Sequence, residues 1–184
     1  MVHKWPQLAW CLFVPLLCVC SFLATPVSAG PLVADVIQVF FSPNGGATEA
    51  VVHELGNAKK EILVQTYSFT SWPIAKALVN AYKRGVKVIV ILDRSQRSDK
   101  YNSADFVHNA GIPIYIDDRH AIAHKKIMVI DQAVVITGSF NITKAAEKNN
   151  AEDLLVIKGH ADVVKKYLSN FKVHLDHSER YEGR

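Results

Sequence analysis

Gly85 is followed by Val86-Lys87-Val88-Ile89-Val90-Ile91-Leu92, a run in which only Lys87 is polar. A run that is nearly all β-branched fits a strand covered on both faces, and such a strand requires helices above and below its sheet. The flanking sequence supplies them. Val36 to Phe41 reads as a strand closed by the turn cluster Ser42-Pro43-Asn44-Gly45-Gly46, and Val51, Leu55 and Ala58 then recur at helical spacing. Ile62 to Tyr67 is the next strand. Pro73 fixes φ near the start of a helix that presents Ile74, Ala77, Leu78 and Tyr82 on one face, and Gly85 ends it as a left-handed cap.

Beyond the polar stretch Asp93 to Lys100, a short helix is expected to end near Gly111, with Ile112 to Ile116 extended. Lys125 to Ile130 and Ala133 to Thr137 read as strands joined by a hairpin at Asp131-Gln132. Thr143 to Lys148 is a short helix and Leu154 to Ile157 a strand. Ala161 to Phe171 is the last helix, with Val164, Tyr167, Leu168 and Phe171 inward. The tail from His174 to Arg184 is polar and is expected to be loose. These units predict an α/β fold, a mixed and mostly parallel sheet sandwiched by helices. No internal repeat is visible.

The start of the chain has a different character. Lys4 is the only charge before Asp35, an apolar run extends from Leu8 to Ala24, and Val27-Ser28-Ala29 precedes Gly30. This pattern predicts a signal peptide over residues 1–29, cleaved after Ala29, with an uncleaved anchor as the alternative. Export across the inner membrane, to the periplasm or beyond, is then expected. Residues 30–184 would form one domain. Cys11, Cys18 and Cys20 all fall in the leader, so the mature chain would contain no cysteine. A disulfide framework, a cysteine-zinc site and a thiol nucleophile are excluded together. The formal charge of +4 permits a polyanionic partner without demanding one.

Chemistry concentrates between His124 and Glu152. His124 and Lys126 alternate on a predicted strand, so their side chains leave the same face. Ser139 and Asn141 have the same spacing at the end of the next strand, and Gly138 before them permits close approach of backbone or ligand. Glu152 opens the following strand. An imidazole, an ammonium, a hydroxyl, a carboxamide and a carboxylate at one mouth of a sheet suit a phosphate. Arg94, Arg97 and Lys100 follow a strand end and are candidate phosphate contacts. Phe69 and Trp72 are candidates for base stacking, with core packing as the competing role. His120 lies four residues before His124 in extended chain, and His174 and His177 are expected to be solvated, so no metal site is expected.

The segment from His124 to Asn141 reads H-x-K-x4-D-x6-G-S-x-N without a gap, and it resembles the signature of the phospholipase D superfamily. Tyr67-Ser68-Phe69-Thr70, Lys83 to Val86 and Gly138 to Glu147 further resemble the small single-motif bacterial endonucleases of that superfamily. The resemblance implies that His124 attacks phosphorus and becomes a phosphohistidine. Lys126 and Asn141 would hold the non-bridging oxygens, and Ser139 would hydrogen-bond at the same place. Glu152 would bond the imidazole and fix its tautomer. Asp131, at the hairpin, would orient a loop. No cofactor and no metal are implied.

The chemistry of this family uses two histidines, and this chain carries one signature. The resemblance therefore implies a homodimer with one composite site across its two-fold axis. The expected substrate is DNA, with RNA as a second candidate. The alternatives are a phospholipase acting at a membrane, which a retained leader would favour, and an inactive nucleic-acid-binding module.

Overall fold

The computed structural model describes Met1, residues 35–100 and residues 102–184. The proposed leader, its cysteines and its cleavage point lie outside the described residues.

Among the described residues, eight strands form a single sheet. They are β1 (Val36–Phe41), β2 (Glu61–Thr66), β3 (Lys87–Asp93), β4 (Ile114–Asp117), β5 (Lys126–Ile130), β6 (Val134–Gly138), β7 (Asp153–Lys158) and β8 (Glu179–Arg180). Their spatial order is β1-β7-β6-β5-β2-β3-β4-β8. The sheet is mixed and flanked by helices, as expected, but it is not mostly parallel. Only the β2–β3 and β3–β4 pairs run parallel, and the other pairs are antiparallel. For the β5–β6 pair the physical reason is a tight turn, where Asp131 and Gln132 both take positive φ (52° and 54°). Such a turn reverses the chain at once and makes the neighbouring strand antiparallel.

The two faces are covered unequally. On one side, α1 (Ala47–Asn57), α2 (Trp72–Lys83), α3 (Ala104–Asn109) and α4 (Lys144–Lys148) close over the larger core. There Val51, Leu55, Ile74 and Leu78 meet Ile62, Val64, Val88, Val90 and Leu92. On the other side α5 (Ala161–His177) lays Val164 and Phe171 on Leu63, Ile91, Ile127, Val129 and Val135. Alternate residues of β2 and β3 thus serve opposite cores, which explains the apolar runs Ile62 to Val64 and Val88 to Leu92.

The tail beyond His174 departs from expectation. α5 continues to His177, β8 pairs with β4, and Tyr181 is buried. The Tyr181 hydroxyl donates to Asp105 at 2.6 Å, and Arg184 forms an ion pair with the same carboxylate. Hydrogen bonds and one aromatic anchor order a segment whose polar composition suggests a free end.

Strand directions fix where loops gather. The C-terminal ends of β2, β3, β4 and β6 lie at the same end of the sheet as the N-terminal ends of β5 and β7. Residues 66–69, 93–97, 117–126, 138–142 and 150–153 therefore converge there.

Candidate active site

His124 is exposed and lies two residues before the start of β5, whose first residue, Lys126, pairs with Thr66 of β2. Lys126 alternates with buried Ile127 and faces the α1/α2 side together with Met128. Its Nζ stands 3.0 Å from both ring nitrogens of His124 and 3.0 Å from the His124 carbonyl oxygen. The ring of Tyr67 lies 4.6 Å from the imidazole, with Lys126 Nζ 5.4 Å from the Tyr67 centroid. Aromatic ring, imidazole and ammonium thus form one group at the mouth of the sheet. Burial pushes the Lys126 ammonium below its ordinary pKa, and the charge of Glu152 opposes the shift without cancelling it.

Gly138 ends β6 at φ 141°, and a Cβ there would meet the Asp153 carbonyl oxygen at 2.2 Å. Only a glycine lets β6 and β7 approach this closely. The turn that follows carries Ser139 and Asn141. Ser139 Oγ donates to Asp153 Oδ1 at 2.8 Å and accepts the Asp153 backbone N–H at 2.9 Å. Asn141 donates its backbone N–H to Glu152 Oε2 at 2.6 Å, and its side-chain Oδ1 is buried without a hydrogen-bond partner. Glu152 also accepts Asn150 Nδ2 at 2.7 Å. Glu152 does not bond the imidazole of its own chain, contrary to expectation. Its carboxylate instead holds the Asn141 turn and acts on Lys126 through its charge.

Asp131 lies at the other end of the sheet. It is separated from Lys126 by the length of β5, about 17 Å at the usual strand rise. Its carboxylate accepts the backbone N–H groups of Lys59, Lys60 and Glu61 at 2.8, 2.7 and 3.0 Å.

The weaker candidates separate. Phe69 is fully buried in the α1/α2 core, so it offers no face to a base. Trp72 is exposed and packs its ring 4.4 Å from Phe106. Arg94 is exposed at the end of β3, Lys100 is exposed, and Arg97 is bound to Glu179 at 2.9 Å. His174 and His177 are not solvated: with His120 they surround the buried carboxylate of Asp117. Sequence reasoning also passed over Asp93. It is buried and accepts the backbone N–H groups of Ser95 (2.9 Å) and Ala123 (2.7 Å). Its signal was an acidic residue closing an otherwise apolar strand.

A basic, hydrogen-bonding mouth built on one exposed imidazole defines a phosphate-handling enzyme. Residues 51–175 match the PLD-like domain of cardiolipin synthase. The phospholipase D of Rickettsia felis is 37% identical over 140 residues, covering 76% of this chain and 70% of the relative. Nuc from Salmonella typhimurium, a phospholipase D family member of solved structure, superposes with a TM-score of 0.77 at 36% identity. That match covers 80% of this chain and 98% of Nuc. NucT from Helicobacter pylori shares the fold, with a TM-score of 0.74 at 23% identity over 80% of this chain and 99% of NucT. The chain belongs to the phospholipase D superfamily and is a phosphodiesterase of that superfamily.

Proposed function

We propose that the chain is an exported endonuclease that cleaves DNA, and RNA as a second substrate, in a homodimer whose two His124 residues serve one phosphorus atom. The supporting observation is the exposed His124 ring with the Lys126 ammonium 3.0 Å from its nitrogens. Among the described residues, the side-chain contacts of His124 are with Lys126 and Tyr67, which supports a second histidine supplied by another chain.

In the first step a His124 nitrogen attacks phosphorus and the phosphorus–oxygen bond to the leaving strand breaks. The His124 imidazolium of the second chain gives its proton to the departing oxygen. In the second step water attacks the phosphohistidine and gives a proton to the second imidazole, and the first is released. Lys126 and Asn141 of both chains stabilise the charge that builds on the non-bridging oxygens. Ser139 and Glu152 are positioning residues, because each holds a turn of the mouth. Export rests on the leader pattern of residues 1–29.

A phospholipase reading is favoured by the name that the Rickettsia relative bears. The phosphate chemistry is common to both, and the substrate decides. The test incubates purified protein with plasmid DNA, and separately with phosphatidylcholine vesicles, in excess EDTA to silence contaminating metal-dependent nucleases. DNA cleavage that disappears in His124→Asn supports the proposal. Choline release without DNA cleavage replaces it with the lipase, and inactivity on both replaces it with a binding module.

A further inference from the structure

On the α5 side of the same sheet end, two chain segments bring three imidazoles to one carboxylate. Asp117, the last residue of β4, is buried with its side chain fully covered. His174 Nδ1 lies 2.6 Å from Asp117 Oδ2, His120 Nδ1 lies 3.0 Å from Oδ1, and His177 Nε2 lies 3.3 Å from Oδ1. One donor atom from each of the four residues lies within 4.8 Å of all the others. The rings face each other at centroid distances of 4.9 to 5.3 Å. Three imidazoles and a carboxylate meeting at one point form a donor set of the kind that ligates a metal ion.

We propose that Asp117, His120, His174 and His177 bind one zinc-class divalent cation, which ties the end of α5 to the segment that delivers His124. A tetrahedral zinc ion with bonds near 2.0–2.1 Å places its ligand atoms roughly 3.3 Å apart, and the donors here, 2.6 to 3.3 Å between oxygen and nitrogen and within 4.8 Å overall, reach that arrangement by side-chain shifts alone. Nitrogen and carboxylate donors without sulfur suit zinc and its first-row neighbours, whereas calcium and magnesium take oxygen shells. Four protein ligands close the shell, so the ion is structural. Lys125 is the nearby cation, and its ammonium is bonded to Asn170.

The position gives the ion a purpose. Asp93 and Asp117 are register partners on adjacent strands, and together they hold the loop from residue 118 to residue 125. Asp93 takes the Ala123 N–H, while Asp117 takes the His120 ring. A metal bridging His120 to His174 and His177 would fix the other end of that loop. The site is separate from the hydrolytic centre, because Lys126 faces the opposite side of the sheet. The proposal stands whether the substrate is a nucleic acid or a lipid.

The test uses the purified full chain, stripped with EDTA and dialysed. Zinc is titrated against a chromophoric chelator, cobalt is titrated by visible absorption, and thermal unfolding is followed at increasing free zinc. The expected result is one equivalent per chain, tetrahedral cobalt bands, and an unfolding temperature that climbs with zinc. His120→Ala and His177→Ala should each weaken binding by at least about tenfold, a loss like that seen when metal sites are trimmed. Both should still unfold cooperatively in EDTA. His124→Asn should keep the equivalent. Absence of a stoichiometric zinc equivalent, or zinc affinity unchanged in both variants, overturns the proposal, as does loss of the equivalent in His124→Asn alone.

Discussion

The backbone N–H of Ala123 donates to Asp93 Oδ2 at 2.7 Å, joining the end of β3 to the residue immediately before His124. Asp93 is buried and also holds the Ser95 N–H. Removing the carboxylate in Asp93→Ala leaves two N–H groups unpaired and lets the His124 segment drift. Stability should fall by about 3 kcal/mol, the scale for losing charged hydrogen bonds. A displacement of the attacking ring should lower kcat by at least about tenfold while KM changes little. Denaturant unfolding and steady-state kinetics on the same preparation check both. An unchanged kcat would show that Asp93 does not position His124.

Asp131 predicts the opposite pattern. It belongs to the signature, yet it lies at the far end of β5 and bonds only backbone N–H groups. Asp131→Asn should cost about 1–3 kcal/mol of stability and leave activity per folded molecule unaltered. Burial pushes this carboxyl up, but the three N–H groups outweigh burial and hold it below the ordinary 3.8. A depressed carboxyl stabilises the fold above its unfolded pKa and loses that contribution as pH falls through the folded value. The gap between wild type and Asp131→Asn should therefore be full at neutral pH and narrow below pH 3.8. Urea unfolding across that range measures it.

Lys126 should set the alkaline limit of the reaction. The proposed role needs the ammonium, and burial moves its deprotonation below the ordinary 10.5. The kcat/KM profile of the free enzyme should therefore decline as pH rises, beginning before 10.5. Lys126→Arg stays charged throughout that range, so the variant should be slower at neutral pH but lose the alkaline limb. A limb that persists in Lys126→Arg assigns it to another group.

Gly138→Ala should disturb the mouth through packing alone. The residue sits at φ 141°, and the added methyl would meet the Asp153 carbonyl oxygen at 2.2 Å. Left-handed strain and overpacking together should cost about 3 kcal/mol. The disturbance should reach Ser139, which bonds Asp153 through both its hydroxyl and the Asp153 N–H. Calorimetry should show the lower stability, and DNA cleavage should fall with it. A variant as stable as wild type would show that β6 and β7 separate freely.

Local patterns carried much of this structure in the sequence. β3 was legible because nearly every residue is apolar and β-branched, and the β5–β6 hairpin because Asp131-Gln132 interrupts two such runs. The alternation of His124 with Lys126 put both groups at one mouth. What the sequence withheld depends on long-range register. The direction of Glu152 is decided by the pairing of β7 with β1 and β6, which turns its carboxylate to the Asn141 turn. In the last turn of α5, Leu175 continues the apolar spacing, but His174 is anchored by a carboxylate from β4 instead of a hydrophobic neighbour. The residues of the histidine cluster divide between positions 117–120 and 174–177, so no local window contains the site.

The pairing of two His124 rings at one phosphorus is tested most directly by subunit mixing. Wild type and His124→Asn would be unfolded together in equal amounts, refolded, and assayed for plasmid cleavage against wild type refolded alone. A composite site formed by two like chains leaves only wild-type pairs active, so activity should fall to about one quarter. Activity at about one half, as expected of independent sites, would contradict the account.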